Sequence, residues 1–230
     1  FLKIIDNNNL KNQLFANKIG SYLLTNKIKA PVIKKKIIDK KINKVFILYD
    51  YIEGKYVNIN NKNIYLLGSN LYKFHKVIKK FSLKFKIKEN SDKKIKLFKK
   101  ILNQKYINNY KFNEKLMKVL KNPKNKLYFE NLEKNQQIIH GDLNYKNLLM
   151  NKDKEIIFLD FEDMQYSYHN PLLDLATIIE RFIMISKNKN KKDLINSLLY
   201  GYFGNKSQIN YKKKEIYYLL KSFSLKSILT

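Results

Sequence analysis

The spacing of apolar residues changes along the chain and predicts strands in its first part and helices in its second. Residues 1–5 have the pattern of the end of a strand, and residues 10–24 follow a helical pattern that Pro31 ends. Residues 32–38 and 44–51 predict a hairpin of two strands joined by a polar turn. The second of these strands is apolar on both faces, which is typical of a central buried strand.

Helical spacing dominates from residue 62 onward. The apolar residues that step by three and four along the first of these helices are Ile64, Leu67, Leu71, Phe74 and Ile78. Asn170 and Pro171 predict the cap and the first residue of a later helix, and two further helices are expected over 193–203 and 212–229. The buried stripe of the helix after Asn170 is expected to contain Leu172, Leu175, Ile179 and Phe182. The lysine-rich stretch 81–137 predicts surface helices with apolar positions at Ile95, Phe98, Ile101 and Leu102.

Short strands interrupt the helical part. Residues 148–150 and 155–159 predict two strands around a polar turn. Taken together, the elements predict an α+β chain with two lobes. We expect residues 1–52 to form a small strand-rich lobe and residues 53–230 a larger, mainly helical lobe.

Composition narrows the class of protein. The chain has 230 residues, of which 44% are hydrophobic, and this is typical of a globular protein rather than a disordered one. It contains no cysteine, which excludes disulfides and thiolate metal sites. The longest apolar runs, such as that at 45–49, are far shorter than the ~18 residues that a membrane-spanning helix needs. We therefore expect a soluble cytoplasmic protein that does not enter a membrane, with further residues preceding Phe1.

The formal net charge of +28 needs separate treatment, because a very basic chain often binds nucleic acid. Arg181 is the only arginine in this chain, although arginine is the side chain that forks onto phosphates and guanine edges. The joint excess of lysine, asparagine and isoleucine is what an A+T-rich genome would produce. We therefore expect no specific nucleic-acid partner. The alternative, a lysine-rich nucleic-acid-binding protein, predicts lysines gathered around aromatics such as Tyr106 and Tyr110.

The strongest chemical signal is a set of polar residues at fixed spacing. His140, Asp142 and Asn147 follow the pattern H-x-D-x-x-x-x-N, and Asp160 comes at the end of the next strand pair. Protein kinases use a catalytic loop of this form followed by an aspartate that holds magnesium. The other protein-kinase signatures are missing, so the pattern favours phosphoryl transfer to an acceptor that is not a protein. A polar loop without chemistry is the alternative.

Each residue of the pattern suits one part of that reaction. Asp142 is the candidate that orients an acceptor hydroxyl and accepts its proton. Asn147 and Asp160 supply an amide oxygen and a carboxylate, which are hard ligands of the kind that Mg²⁺ prefers. His140 belongs to the same catalytic loop, where we expect it to brace the backbone through hydrogen bonds.

Four segments carry a resemblance to a known family. They are I-H-G-D-L at 139–143, N-L-L at 147–149, L-D-F-E at 159–162 and D-L-A at 174–176. These segments resemble the aminoglycoside phosphotransferase and choline kinase-like superfamily, and Gly141 is more typical of its aminoglycoside branch. The resemblance implies the bilobal protein kinase-like fold. It also implies a kinase that binds ATP or GTP and Mg²⁺ and phosphorylates a hydroxyl of a small molecule, such as an aminoglycoside, choline, thiamine or a sugar.

The same resemblance assigns the nucleotide site. The segment at 48–54 resembles the family's hinge, so Asp50, Tyr51 and Ile52 would contact the nucleotide base. Lys3 falls where the family has its strand lysine against the phosphates, and Gln13 falls where the family has a glutamate that pairs with this lysine. The phosphate-covering loop would precede Lys3, so we expect a small lobe truncated at its start. Because of these two departures, a non-catalytic pseudokinase that binds nucleotide is an alternative to an active kinase.

Several polar residues around the motif have structural or binding roles to test. Glu162, Asp163 and Glu180 are candidates to bind an ammonium group of the acceptor, as the resemblance to aminoglycoside and choline kinases implies. Asp174 is expected to accept hydrogen bonds from the catalytic loop. His75 lies near the buried face of its helix, and we expect a structural role for it.

Overall fold

The first three strands form an antiparallel sheet in the order β1-β3-β2. The structure, a computed structural model, describes residues 1–84 and 135–229. Strand β1 spans Leu2–Asp6, β2 spans Ile33–Asp39 and β3 spans Lys44–Tyr49. The predicted hairpin is confirmed, and its second strand is the central one.

Strand β3 differs from the prediction in being buried on one face only. Val45 and Ile47 are buried and form a small core with Ile5, whereas Leu48 is 39% exposed. The sheet has three strands, and its buried face carries this small core while the other face remains accessible to solvent. Apolar residues on both faces of a strand therefore do not require burial on both faces here.

Helix α1, Leu10–Thr25, joins this sheet to the rest of the molecule. Its buried residues Ala16, Ile19 and Leu23 belong to the main hydrophobic core rather than to the core of the small sheet. The ring of Tyr22 meets that of Phe81 edge-on, with centroids 5.1 Å apart. The predicted helix is confirmed, and it fixes the sheet against the helical part.

Helix α2 spans Asn61–Lys84 and lies at the centre of the main core. Its predicted apolar stripe is confirmed, because every member is fully buried: Ile64, Leu67, Leu71, Phe74 and Ile78. Helix α3 spans Leu172–Ile178 and continues as a wider π-helical turn over Ile179–Met184. Helix α4 spans Lys191–Phe203, and α5 spans Lys206–Leu229. Helix α5 begins earlier than the predicted residue 212.

Five further short strands lie within residues 1–84 and 135–229, and three of them were not predicted. The pair predicted around a polar turn is confirmed as β6, Leu148–Met150, and β7, Ile156–Phe158. Strand β4, Lys55–Tyr56, pairs with β6, while β5, Gln137–Ile138, pairs with β8, Tyr168–His169. Strands of two residues are too short to show a period, so only tertiary pairing defines them.

The start of α3 differs from the prediction by one residue, because Pro171 is the N-cap and Leu172 is the first helical residue. Asn170 still contributes to the start of the helix, since its side-chain oxygen accepts a hydrogen bond from the backbone N–H of Leu172 over 3.0 Å. The four apolar residues of the predicted stripe are buried: Leu172, Leu175, Ile179 and Phe182. The cap matters for function because it sets the position of the next residues of α3, which include Asp174.

The surface helices expected over 81–137 fall mostly outside the described residues. This applies to their apolar positions and to the aromatics of the nucleic-acid alternative: Ile95, Phe98, Ile101, Leu102, Tyr106 and Tyr110. Within the described ranges, no helix combines the length and the apolar character that a bilayer crossing requires. The boundary between lobes at residues 52 and 53 stays a prediction.

Helices α2 and α4 approach each other most closely at two glycines. A Cβ at Gly68 would lie 2.1 Å from the carbonyl oxygen of Leu198, and a Cβ at Gly201 would lie 2.0 Å from that of Tyr65. We expect Gly68→Ala to lower the free energy of unfolding by about 1–3 kcal/mol, because backbone atoms cannot move aside as side chains do. Urea denaturation would measure this loss. Lys73→Ala on the exposed face of α2 is the control, and an equal change in both variants would contradict the close contact.

Candidate active site

A buried carboxylate organises the loop that follows β5. Asp174 on α3 is fully buried and accepts hydrogen bonds from the backbone N–H groups of His140 and Gly141, over 2.8 and 2.9 Å. Gly141 has φ +82°, and a Cβ there would lie 2.2 Å from the Oγ of Ser167. Glycine therefore allows two successive N–H groups to reach one carboxylate. The expected role of Asp174 as acceptor from this loop is confirmed.

The same carboxylate is linked to two helices. The Nε2 atom of His75 on α2 lies 2.9 Å from Asp174, and its Nδ1 atom lies 2.8 Å from the hydroxyl of Tyr202 on α4. Burial alone would raise the pKa of Asp174, but the hydrogen bond and charge of His75 and the N–H of Gly141 hold it below its usual value. Burial and the charge of Asp174 raise the pKa of Tyr202. The contacts of His75 confirm its structural role.

His140 lies beneath the loop. Its Nε2–H donates to the carbonyl oxygen of Leu159 over 2.8 Å, and its ring meets that of Phe161 edge-on at 5.7 Å between centroids. The residue is fully buried, and its ring also lies 6.2 Å from that of Phe74. This bond ties the loop to the strand end that carries Asp160, as bracing requires. A part in the chemical step stays a prediction.

Asp142 projects from the loop with both carboxylate oxygens occupied. Its Oδ2 atom accepts from the side-chain amides of Asn144 and Asn147, over 3.0 and 3.2 Å. Its Oδ1 atom accepts from the Nη1 atom of Arg181 over 2.7 Å. Asn147 also donates to the backbone oxygen of Asp142 over 2.8 Å, because the 3₁₀ turn Tyr145–Asn147 returns the chain toward it. Asp142 is 31% exposed, so its carboxylate is accessible to a ligand.

A cavity of about 350 Å³ collects most of the other predicted site residues. Its lining includes the predicted nucleotide and metal residues Lys3, Asp50, Tyr51, Ile52, Asn147 and Asp160, and also Glu162, which was predicted to bind the acceptor. Asp142 lies beside this cavity and is joined to it by Asn147. The structure thus brings together residues that are separated by more than a hundred positions in the sequence.

Asn147 and Asp160 form a donor set that fits Mg²⁺. Both amide hydrogens of Asn147 face Asp142, so its Oδ1 atom remains available, and Asp160 lines the same cavity with an ionisable carboxylate. Mg²⁺ is usually held by one or two such protein ligands together with phosphates and water. In the described ranges, no three or more His, Cys, Asp or Glu side chains are arranged so that they could hold a metal ion by themselves. A metal at this cavity would therefore depend on nucleotide oxygens for its remaining ligands.

The strand lysine has a different partner from the one that the family pattern implies. The Nζ atom of Lys3 contacts the Oε1 atom of Glu162 and lies 3.8 Å from Asp160. Gln13 is buried and instead accepts a hydrogen bond from the hydroxyl of Tyr49. Burial and the charge of Asp160 raise the pKa of Tyr49 to about 12, which keeps this phenol protonated. The anion that balances Lys3 thus comes from the segment after Asp160.

The three acids predicted to bind an ammonium group have different surroundings. Glu162 pairs with Lys3, Glu180 lies 3.8 Å from Arg181, and Asp163 is exposed. Their binding role stays a prediction. Arg181 itself was treated only as part of the composition, and its contact with Asp142 was missed. Its status as the only arginine in a lysine-rich chain was the signal that could have found it.

A model of the phosphotransferase enzyme family matches residues 22–194, which is most of the chain. The chain belongs to the phosphotransferase enzyme family. The match includes the candidate catalytic loop with Asp142 and Asn147, and Asp160 after it, whereas Lys3 precedes it. The family resemblance seen in these segments is therefore confirmed. No curated protein matches the sequence.

Solved structures of this family share the fold. Aminoglycoside phosphotransferase APH(3'')-Id from Streptomyces rimosus matches with a TM-score of 0.58 and 11% identity, over 96% of this chain and 83% of that one. Its complex with ADP and streptomycin matches with a TM-score of 0.59 and 11% identity, over 96% of this chain and 84% of that one. The GDP complex of aminoglycoside 2'-phosphotransferase-IIIa matches with a TM-score of 0.60 and 16% identity, over 91% of this chain and 72% of that one. Ethanolamine kinase from Plasmodium vivax matches with a TM-score of 0.56 and 17% identity, over 92% of this chain and 64% of that one. These similarities confirm the kinase-like α+β fold.

In this phosphotransferase, we expect Asp174→Asn to lower the free energy of unfolding at pH 7 by about 1–3 kcal/mol. The NH₂ group of the asparagine would face an N–H donor from which the carboxylate now accepts a hydrogen bond. The pKa of Asp174 is lower in the folded protein, so its contribution is full above the unfolded pKa of about 3.9 and is lost as the pH falls below it.

Urea denaturation from pH 7 to pH 3.5 would measure this dependence. The difference between the wild type and Asp174→Asn should shrink on the acidic side. Asp193→Asn is the control, because Asp193 is exposed on α4. A difference for Asp174→Asn that is constant with pH would contradict the buried, ionised carboxylate.

Proposed function

We propose that the protein transfers the γ-phosphoryl group of ATP or GTP to a hydroxyl of a small molecule. The observation that carries the proposal is the convergence of Lys3, Asn147 and Asp160 on one cavity, with Asp142 held beside it by Asn147. Membership of the phosphotransferase family supports it, as does the similarity to enzymes solved with ADP and GDP. A cytoplasmic location, where these nucleotides are available, belongs to the same proposal.

In this proposal, Asp142 is the catalytic residue. Phosphoryl transfer requires the acceptor oxygen to be held in line with the phosphate and its proton to be accepted. The amides of Asn144 and Asn147 hold one oxygen of Asp142, so the acceptor would bond to the other oxygen, which contacts Arg181 in this structure. The hydroxyl proton would pass to that oxygen as the new O–P bond forms and the bond to the leaving nucleoside diphosphate breaks.

Asn147 and Asp160 would hold Mg²⁺ at the phosphates. A Mg²⁺ ion held by these two residues would supply neutralisation of the phosphate charge. Asp160 has φ +62°, a left-handed conformation that aspartate tolerates better than most residues. The hydrogen bond from the N–H of Leu159 to the backbone oxygen of Asn147, 3.0 Å long, keeps the two ligands adjacent.

The nucleotide base would lie against the hinge. The backbone N–H of Asp50 already donates to the oxygen of Val32 over 3.1 Å, so Tyr51 and Ile52 offer the accessible backbone groups. The side chain of Tyr51 is 82% exposed and can cover the base. Lys3 would exchange Glu162 for phosphate oxygens when the nucleotide binds.

One of the two grounds for the pseudokinase alternative is Gln13, which cannot form an ion pair with Lys3. The contact of Lys3 with Glu162 weakens that argument, because an anion still positions the lysine. The two candidates differ in turnover: the enzyme phosphorylates an alcohol, whereas the pseudokinase binds nucleotide without transferring phosphate. Transfer from ATP to aminoglycosides, choline, thiamine and sugars, assayed with the full-length protein, distinguishes them.

For any acceptor found in that assay, we expect Asp142→Asn to lower kcat by about 10²–10⁴-fold, because the proton of the hydroxyl loses its acceptor. Asp153→Asn is the control, since Asp153 is an exposed partner of Lys29 in a different part of the molecule. Circular dichroism would establish that both variants fold. Near-native turnover by Asp142→Asn would show that the catalytic assignment is wrong.

We expect Lys3→Met to raise the Kd for Mg-ATP by about 10–100-fold, because hydrogen bonds to charged groups contribute about 1.5–3 kcal/mol. A fluorescent ATP analogue would measure this binding independently of turnover. Lys36→Met is the matched control, because Lys36 is an exposed lysine on β2 of the same sheet. Equal affinities of the two variants would contradict a phosphate contact of Lys3.

A further inference from the structure

The side chain of Arg181 lies directly beside the proposed catalytic carboxylate. Its Nη1 atom is 2.7 Å from the Oδ1 atom of Asp142, and the side chain is 53% exposed. Arg181 projects from the π-helical turn Ile179–Met184. The next two residues of this turn, Phe182 and Ile183, are buried and anchor the turn in the core. Turns of this kind are frequent at functional sites.

The two oxygens of Asp142 are not equivalent for an incoming alcohol. Oδ2 accepts from two side-chain amides, those of Asn144 and Asn147. Oδ1 contacts only Arg181 among the described residues, and it therefore has the free lone pair. An acceptor hydroxyl that bonds to Oδ1 must lie next to the guanidinium group. The atoms a few bonds away from that hydroxyl then lie within reach of Arg181.

A guanidinium group at this place selects by charge. A guanidinium group has five N–H donors in a plane, and it binds carboxylates and phosphates with good geometry. Asp142 accepts a hydrogen bond from only one of its nitrogen atoms, Nη1. An acceptor with an anionic group could bind Arg181 and leave Oδ1 of Asp142 to the hydroxyl. An ammonium group cannot bind the N–H donors of Arg181, and two nearby acids, Glu162 and Glu180, already have cationic neighbours.

The charge of the whole chain acts in the same direction. A formal net charge of +28 attracts small anions and repels polycations over distances of about a Debye length, roughly 10 Å at 0.1 M salt. Aminoglycosides carry several ammonium groups and would approach against this field. The donors of Arg181 and the charge of the whole chain therefore favour the same class of acceptor, whatever mutational bias produced the lysines.

We propose that the acceptor is an anionic alcohol, a small molecule that carries a carboxylate or phosphate within a few bonds of the hydroxyl, and that Arg181 binds that anionic group. This inference rests on the proposed function. Arg181 is then the residue that determines acceptor specificity, and it releases Asp142 as the acceptor binds. The γ-phosphorus forms a bond to the hydroxyl oxygen, its bond to the nucleoside diphosphate breaks, and the hydroxyl proton passes to Asp142.

Matched alcohols of different charge test the inference. The first set pairs glycerol, which is neutral, with glycerol 3-phosphate, which is anionic. The second set compares neutral glucose with the anions gluconate and glucose 6-phosphate and with the cation glucosamine. Choline and an aminoglycoside are further cations. Transfer from Mg-ATP would be assayed with the full-length protein at low and at physiological salt. We expect the anionic members to be phosphorylated with at least tenfold higher kcat/KM than their neutral or cationic counterparts, and the preference to weaken as salt increases.

Three variants separate a binding role from a structural one. Arg181→Met should raise the KM for the anionic alcohol by 10–100-fold, while the KM for Mg-ATP should stay within twofold. Arg181→Lys should recover part of the lost affinity for the alcohol. Lys189→Met removes an exposed positive charge a few residues further along and should leave both KM values unchanged. Saturation-transfer NMR with Mg and a non-hydrolysable ATP analogue would measure alcohol binding without turnover, and it should show the same order among variants.

Each other outcome overturns the inference in an identifiable way. Preferred phosphorylation of a cationic or neutral alcohol leaves the proposed function intact and makes the acceptor class wrong. An equal change of activity toward all alcohols in Arg181→Met shows that Arg181 only occludes Asp142. If none of the alcohols is bound or phosphorylated, although Mg-ATP binds, the proposed function and this inference fall together.

Discussion

The carboxylate of Asp174 lies fully buried where α2, α3 and the catalytic loop meet, and the candidate site depends on it. It holds the N–H groups of His140 and Gly141, while His75 connects it to α2 and, through Tyr202, to α4. A loop has few contacts of its own, so a rigid acceptor beneath it determines where its side chains point. Because this acceptor is ionised and enclosed, its hydrogen bonds are stronger than those of an exposed residue.

Two ion pairs of the candidate site are more exposed than Asp174. Lys3 contacts Glu162, and Arg181 contacts Asp142, in positions where the side chains are partly exposed. Exposed pairs contribute little to stability, typically about 0–1 kcal/mol, so ligands can exchange them at small cost. A nucleotide phosphate would replace Glu162 at Lys3, and an anionic acceptor would replace Asp142 at Arg181. The molecule thus combines a fixed support with charges that can change partners.

How far the site could be predicted from the sequence varies with the type of contact. Asp142, Asn147 and Asp160 follow one another within twenty residues, and their spacing alone predicted that they belong together. The bracing by Asp174 followed from family resemblance, and the structure confirmed it. The partner of Lys3 could not be found in this way, because Glu162 is 159 positions away and no periodic pattern connects the two. The short strands β4, β5 and β8 were missed for the same reason.

The sequence by itself determined the long amphipathic helices, the strand hairpin and the order of the polar motif, because local periodicity and short spacing define these features. It also established family membership through the segments around the catalytic loop. Tertiary structure alone decided which charges meet: Lys3 with Glu162, and Arg181 with Asp142. Pairing across the fold depends on how helices and strands pack, and packing is a property of the whole chain that no single segment encodes.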